Sequence, residues 1–170
     1  MTEKPLINKV AQKAIIQIDP ASFIPKATEI VAFDVKPFLY KELILKEKEY
    51  REALATFDFI DFEKKYVYIY CSSNAIIPMW AYMLLASYLN PLAKDIVFAS
   101  TIFAAEEMFL LNALEKIDLE KYKNKRIVVK GCGEKKFSAQ VYVKLISILQ
   151  QETKAISFGE ACSMVPVFKK

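Results

Sequence analysis

Short apolar segments alternate with longer, helix-length segments along most of the chain. Five apolar runs predict strands: residues 29–35, 66–71, 95–99, 126–130 and 155–158. Three helix-length segments are found among them: residues 77–90, 103–116 and 138–151. Because the strands show no polar alternation, we expect helices to cover both faces of their sheet. The order of strand, helix and strand therefore predicts right-handed βαβ crossovers and a mainly parallel sheet.

The same pattern occurs twice along the chain. Residues 65–98 comprise a strand, a cysteine, a helix and a second strand, and residues 125–158 repeat that order with a one-residue slip at the cysteine. Identical residues recur at matched positions: Lys65 and Lys125, Tyr82 and Tyr142, Leu85 and Leu145, Ser87 and Ser147, Phe98 and Phe158. We therefore expect a three-layer α/β domain with a mainly parallel sheet of about five strands and an internally duplicated βαβ unit.

The N-terminal part is less regular. Residues 1–28 are predicted to form an irregular segment, with a short helix over 7–14 and an edge strand over 15–18. A charged amphipathic helix is predicted over 45–55. The chain has 170 residues, which is enough to bury one core, so we expect a single domain over residues 1–170.

The composition narrows the class of protein. The formal net charge is +4, with 24 Lys and Arg scattered among 20 Asp and Glu, and no basic stripe alternates with aromatic residues. Nucleic acid is therefore not an expected partner. The longest apolar run, residues 75–89, is interrupted by Pro78 and is too short to span a bilayer, so no membrane is expected. Because residues 1–13 lack a secretory signal and the chain has three cysteines, we expect a cytoplasmic location.

Two features of the composition exclude several kinds of site. The chain has no histidine, which excludes a Ser–His or Cys–His nucleophile pair and any His-ligated metal. It has only three glycines, and neither the P-loop pattern nor the dinucleotide-binding pattern GxGxxG occurs. Whether the protein is an enzyme stays open.

All three cysteines follow predicted strands. Cys71, Cys132 and Cys162 lie at or just beyond carboxyl ends of strands, where open parallel sheets bind ligands. If the three thiolates converge, they would hold zinc or an iron–sulfur centre, with either an open position or a carboxylate such as Asp34 or Glu160 as the fourth ligand. This hypothesis predicts a ligand- or metal-binding protein.

Two alternatives to the metal hypothesis stay open. Cys132 alone would be a reactive thiol, because Lys135 and Lys136 lie nearby in the sequence and cations stabilise a thiolate. The cysteines would otherwise pack as small hydrophobic residues, which free cysteines commonly do.

Polar residues and glycines near the same strand ends predict a pocket for a small molecule. Ser73 and Asn74 precede the helix at 77–90, where either would serve as its N-cap. Glycines serve where the backbone bends or approaches a ligand closely. The candidate pocket residues are Asp34, Ser73, Asn74, Trp80, Gly131, Gly133 and Glu160.

The segment 77–89 is apolar nearly all round. A helix on the outside of an α/β domain normally keeps a polar face. Either the N-terminal segment covers this helix or its outer face is buried against another subunit, and of the two we expect a homodimer. A non-enzymatic homodimeric interaction protein, with the cysteines only packing, is the alternative to a binding protein.

Several motifs together resemble one known family. They are CSSNAIIPMWAYMLLA at 71–86, VKGC at 129–132, FGEACSMVP at 158–166, LILKEK at 43–48 and YRE at 50–52. The chain resembles the bacterial domain-of-unknown-function family 2480 over nearly its whole length. The resemblance implies no activity, because the family has none assigned.

Overall fold

The structure, a computed structural model, describes residues 15–131, 133, 135–160 and 163–170. Its strands are β1 (Ile15–Ile18), β2 (Ile30–Asp34), β3 (Tyr66–Tyr70), β4 (Asp95–Phe98), β5 (Arg126–Val129), β6 (Ala155–Glu160) and β7 (Ser163–Lys169). Its α-helices are α1 (Glu47–Thr56), α2 (Met79–Leu89), α3 (Ile102–Glu115) and α4 (Ala139–Leu149). Short 3-10 helices cover Pro20–Phe23, Ala27–Glu29, Lys36–Phe38, Ile60–Phe62 and Leu119–Tyr122. The helix predicted over residues 7–14 lies outside the described residues.

The chain divides into two compact units. The continuous unit comprises residues 24–110, and the split unit comprises residues 1–23 and 111–170. The continuous unit contains a parallel sheet in the order β2–β3–β4. The split unit contains a sheet in the order β1–β5–β6–β7, in which β7 is antiparallel to β6 and the other pairs are parallel. The single domain expected over residues 1–170 stays a prediction.

The α/β class is confirmed, but the prediction of one sheet of about five strands is wrong. The described strands form a three-stranded and a four-stranded sheet. Each recurring segment pairs with a different strand from the N-terminal part of the chain: β1 lies beside β5, and β2 lies beside β3. The two segments therefore build separate ladders. A buried strand is apolar in whichever sheet it lies, so the hydrophobic pattern does not show which strands belong to the same sheet.

The two parallel ladders have the same register. Tyr66 lies opposite Asp95 in one sheet, and Arg126 lies opposite Ala155 in the other. The same shift along the sequence therefore takes β3 to β5 and β4 to β6. Ile30 pairs with Tyr66 as Ile15 pairs with Arg126. We call residues of β3–α2–β4 and β5–α4–β6 corresponding positions when they are related by the shift from Tyr66 to Arg126. In β1 and β2, corresponding positions are related by the shift from Ile15 to Ile30.

Helices cover both faces of the sheet in the continuous unit. On one face, α1 and α2 contribute Tyr50, Leu54, Ala81, Leu85 and Leu89 to a buried cluster that includes Phe33, Val67 and Ile69 of the sheet. On the other face, Phe109 of α3 packs with Val97, and its ring lies 5.3 Å from that of Tyr66. Apolar side chains at helical spacing thus hold the strand ends in place.

In the split unit, α4 buries Val141, Leu145 and Leu149, the positions that correspond to the buried residues of α2. The antiparallel strand β7 was not predicted, because Pro166 interrupts its apolar run. Proline is tolerated in an edge strand, and Pro166 pairs with Ser157 where the register shifts. Within the described residues, no helix combines the length and apolar character that a bilayer span requires.

Candidate functional site

Asp34 connects the carboxyl ends of β2 and β3. Its Oδ1 accepts hydrogen bonds from the backbone N–H of Lys36 at 2.9 Å and of Ser72 at 3.0 Å. Its Oδ2 accepts a hydrogen bond from the Ser72 hydroxyl at 2.5 Å. The first bond closes the turn after β2, and the other two bridge to the loop after β3. The carboxylate is therefore held in one orientation by three donors.

Partial burial acts to raise the pKa of Asp34, but the hydrogen bonds act against it. The Ser72 hydroxyl, the backbone N–H groups of Lys36 and Ser72, and the charge of Lys36 together hold the pKa below its ordinary value. The side chain is therefore a carboxylate at neutral pH. The Lys36 ammonium itself pairs with Glu42 at 3.1 Å, and no described cation forms an ion pair with Asp34.

A pocket of about 240 Å³ opens beside Asp34. We call it the phenylalanine pocket, and its lining residues are Ala32, Phe33, Asp34, Pro37, Phe38, Phe57 and Phe62. The Phe33 ring lies 5.6 Å from Phe38, 5.5 Å from Phe57 and 5.3 Å from Phe62, between ring centroids. Phe33 is buried whereas Phe57 is 38% exposed, so the rings form a wall that is open to solvent on one side.

The corresponding carboxylate in the split unit has a cation. Asp19 also closes a turn, because its Oδ1 accepts from the backbone N–H of Ala21 at 3.0 Å. Its Oδ2 pairs with the Lys130 ammonium at 3.0 Å. Tyr70 occupies the position that corresponds to Lys130, and burial and then the charge of Asp34 raise the pKa of Tyr70. The continuous unit thus keeps the carboxylate but replaces the lysine with a neutral ring.

Ser73 directly follows the serine that bonds Asp34, and its own contacts are structural. The Ser73 hydroxyl lies 3.4 Å from the Cys71 sulfur and accepts a hydrogen bond from the backbone N–H of Ala75 at 3.3 Å. Helix α2 begins only at Met79, and no side chain caps it. The prediction that Ser73 or Asn74 is its N-cap is therefore wrong, because Pro78 starts the helix instead.

Cys71 is half-buried at the carboxyl end of β3 and packs against the core of the continuous unit. Burial and then the nearby Cys71 raise the pKa of Tyr82. Trp80 faces the helices: its ring lies 6.1 Å from that of Tyr50, and the Arg51 guanidinium lies 5.6 Å from it. Trp80 is thus not among the residues that line the phenylalanine pocket.

The remaining candidates belong to the split unit. A β-carbon at Gly131 would overlap the ring of Phe158, so this glycine lets the ring pack against the backbone. Gly133 is exposed with open space around it. Glu160 ends β6, opposite Ser163. Gly131 therefore has a packing role, and the part of these residues in a pocket stays a prediction.

Cys132 and Cys162 lie outside the described residues, so the convergence of the three cysteines stays a prediction. Among the residues that the structure does describe, no three Cys, Asp or Glu side chains are grouped so as to hold a metal ion.

The family resemblance is confirmed by comparison with protein-family models. The model for the family "Protein of unknown function (DUF2480)" matches residues 4–170. The chain belongs to the DUF2480 family. Comparisons of this DUF2480 protein with curated proteins and with solved structures gave no match. Family membership therefore brings no activity with it, and function has to be inferred from the geometry of the site.

The sequence pattern indicates Asp34 as a site residue of this DUF2480 protein, but it does not indicate the residues around it. The neighbours of Ser72 were favoured over Ser72 itself, although a serine directly after a strand end can reach the adjacent strand. The pocket phenylalanines lie in loops and strands where aromatic residues normally indicate core. One signal was available: Asp19 directly follows β1 and Asp34 ends β2, and among the described residues only Asp19 forms an ion pair with a lysine.

Proposed function

We propose that the continuous unit binds a small organic cation at the phenylalanine pocket. The ligand's ammonium or guanidinium group pairs with the Asp34 carboxylate, and its apolar part lies against the phenyl rings. The observation that carries this proposal is the contrast between the two carboxylates. Asp19 is neutralised by Lys130, whereas Asp34 faces Tyr70 and the solvent-open pocket.

The chemistry of the lining supports a cationic ligand. A carboxylate that already accepts three hydrogen bonds keeps its negative charge and still has one of its roughly four lone-pair sites for a charge-assisted bond. Aromatic faces attract cations as well as apolar groups. At about 240 Å³ the pocket lies below the range of roughly 300–1,000 Å³ that is usual for drug-sized ligands. We therefore expect it to accept a group the size of one side chain.

Benzylamine is a suitable probe, because it is a cation with one phenyl ring at neutral pH. Titration into ¹⁵N-labelled protein should shift the amide signals of Ala32, Asp34 and Phe57. Benzyl alcohol, the neutral control, should bind about tenfold more weakly, since the charged hydrogen bond is lost. Asp34→Asn should remove this preference, while Asp19→Asn should leave it unchanged. Equal affinity of the two probes for the unchanged protein would refute the proposal.

We also keep the three-cysteine metal site as a proposal. Its support is that Cys71 lies at the carboxyl end of β3, where the cysteine hypothesis requires it. Zinc or an iron–sulfur centre would involve Cys71, Cys132 and Cys162 together. Elemental analysis of natively purified protein tests this proposal, with Cys71→Ser as the control. Metal content near zero in the unchanged protein would remove it.

A homodimer is the third candidate function, and we propose α2 and the extended segment before it as its interface. Ile76, Met79 and Met83 are 92%, 70% and 73% exposed, which is unusual for three apolar side chains at helical spacing. Met83→Glu should convert a dimer to a monomer in light scattering. Val143→Glu is the matched control, because Val143 is exposed at the corresponding position of α4. A monomeric unchanged protein would exclude this candidate.

We propose further that the two units arose by internal duplication and that the protein works in the cytoplasm. Identical register at corresponding positions of the two ladders supports the duplication. The proposed location rests on the three cysteines, which are typical of a reducing compartment when they are not paired. Fractionation of cells that express a tagged protein tests the location.

A further inference from the structure

The outer edge of β2 has unpaired backbone groups. The backbone N–H of Val35 donates to the carbonyl of Tyr70 at 2.9 Å, so this residue faces β3. The N–H of Ile30 instead turns back to the carbonyl of Ala27. Because residues of a parallel strand face its two neighbours alternately, Ala32 and Asp34 direct their backbone groups to the open edge. Within the described residues, the N–H and C=O of Ala32 have no hydrogen-bond partner.

The edge of β2 differs from that of β4, the other outer strand of its sheet, at this point. In β4, the Asp95 carboxylate accepts a hydrogen bond from the backbone N–H of Ile96 at 2.9 Å and so caps that edge. In the split unit the outer strands are β1 and β7, and Gln17 of β1 lies at the position that corresponds to Ala32. Exposed edges are usually protected by charges, proline or bulges within the strand. The sequence IVAF of β2 has none of these before Asp34, and Ala32 is small and exposed.

The phenylalanine pocket lies directly beside this edge. Ala32 and Asp34 line the pocket as well as the edge, and the pocket accepts a group of side-chain size. A strand added to a sheet places alternate side chains on one face, so main-chain pairing and a side-chain pocket act together. The charge also favours one kind of partner. Residues 24–110 contain 12 Asp and Glu against nine Lys and Arg.

We infer that the cation bound at this site is a side chain of an extended peptide that adds a strand to the edge of β2. The peptide main chain pairs with the N–H and C=O of Ala32. A lysine or arginine of the peptide reaches Asp34, and an apolar side chain enters between Phe57 and Phe62. The partner is thus a protein segment that is extended and carries a basic and a large apolar residue. This inference rests on the proposed function of the pocket.

The test uses a random dodecapeptide phage library panned against the full-length protein. Ala32→Pro removes the edge N–H without removing a bond to β3, since proline is tolerated at such a position. Gln17→Pro is the matched control, because Gln17 is exposed at the corresponding position of β1. Peptides selected on the unchanged protein should lose at least tenfold in affinity on Ala32→Pro and keep their affinity on Gln17→Pro. They should be enriched in Lys or Arg together with an aromatic or aliphatic residue.

A second measurement does not depend on the folding of the variant. In a selected peptide, N-methylation of the amides that face β2 should weaken binding. N-methylation of the intervening amides should leave binding unchanged, because only one edge of an added strand faces β2. The inference would be overturned by selected peptides that bind Ala32→Pro and the unchanged protein equally. It would also be overturned by peptides that tolerate N-methylation of both sets of alternate amides. A dimer that Ala32→Pro dissociates would overturn it as well, because the occupant would then be a second copy.

Failure of this inference can be told apart from failure of the pocket. Suppose that benzylamine still binds the unchanged protein better than Asp34→Asn while no selected peptide distinguishes the unchanged protein from Ala32→Pro. In that case the cation site is supported and strand addition is wrong. If benzylamine shows no preference either, the cation site itself is wrong.

Discussion

The Ser72 hydroxyl donates a 2.5 Å hydrogen bond to the carboxylate of Asp34, and so joins the loop after β3 to the end of the adjacent parallel strand β2. The same carboxylate lines the phenylalanine pocket. One contact therefore both fixes the strand ends and orients the charge that we expect to meet a ligand. The contribution of this contact to the free energy of unfolding and its contribution to ligand binding can be measured separately.

Ser72→Ala should lower the free energy of unfolding by about 0.5–1 kcal/mol. The carboxylate keeps its two backbone donors, and a partly solvated hydrogen bond contributes at the low end of the usual range. Urea unfolding at pH 7 measures the change. Ser100→Ala, in an exposed loop, serves as the control and should stay within about 0.5 kcal/mol of the unchanged protein.

The contribution of Asp34 should depend on pH in one direction. Its pKa in the folded protein lies below the ordinary value of about 3.8. A depressed pKa stabilises the fold above the unfolded pKa, and this stabilisation is lost as the pH falls through the folded pKa. The difference in free energy of unfolding between the unchanged protein and Asp34→Asn should therefore be constant from pH 7 to 5 and shrink below about pH 4. A difference that grows on acidification would contradict the assignment.

Tyr50 should show the opposite dependence. Its side chain is fully buried, and its hydroxyl donates to the carbonyl of Ala81 at 3.2 Å. Burial, and then the charge of Tyr82, raises the pKa of Tyr50 above its ordinary value. A raised pKa gives stability that is complete below the unfolded pKa, near 10, and is lost as the pH rises towards the folded pKa.

Tyr50→Phe should thus cost about 1 kcal/mol in free energy of unfolding at pH 8, where the buried hydrogen bond is lost. The cost should decrease at pH 11, because phenylalanine cannot ionise. Urea unfolding at both pH values measures it. Tyr40→Phe, at an exposed position, should show no such change between the two pH values.

The recurring strand–helix–strand segments were predictable from the sequence because their burial follows helical spacing. Ala81, Leu85 and Leu89 are fully buried at intervals of four, so the pattern located α2 to within two residues at each end. The N-cap residue was predicted wrongly, because Ser73 is of a residue type that favours this position whereas Pro78 occupies it without a side-chain hydrogen bond.

The division into two sheets and the pocket were not predictable in the same way. Strand pairing depends on which N-terminal strand each segment recruits, and β1 and β2 are both short and apolar. The pocket depends on Phe57 and Phe62, whose loop lies far along the chain from β2. Hydrophobic periodicity does not show which distant residues come into contact, such as Phe57 and β2. The contrast between Tyr70 and Lys130, however, can be seen once the two ladders are aligned.

Gly131→Ala should destabilise the split unit, because the added β-carbon overlaps the ring of Phe158. The ring is partly exposed and can move, so the cost should be about 1 kcal/mol, the low end for overpacking. Gly133→Ala is the matched control: the nearest atom to its added β-carbon is the carbonyl oxygen of Lys135 at 3.9 Å. Thermal melting compares the two. Combining Gly131→Ala with Phe158→Leu should recover most of the loss, and the steric explanation fails if it does not.

Tyr70→Lys should reproduce in the continuous unit the ion pair that Lys130 forms with Asp19. The new ammonium would lie beside the Asp34 carboxylate, since Tyr70 already feels that charge. We expect benzylamine to lose its advantage over benzyl alcohol, by about tenfold, because the site then contains its own cation. Tyr70→Phe is the control: it removes the hydroxyl, supplies no charge and should keep the preference. If Tyr70→Lys folds normally and still prefers benzylamine, Asp34 is not the group that recognises the cation, since an internal ammonium would have competed for it.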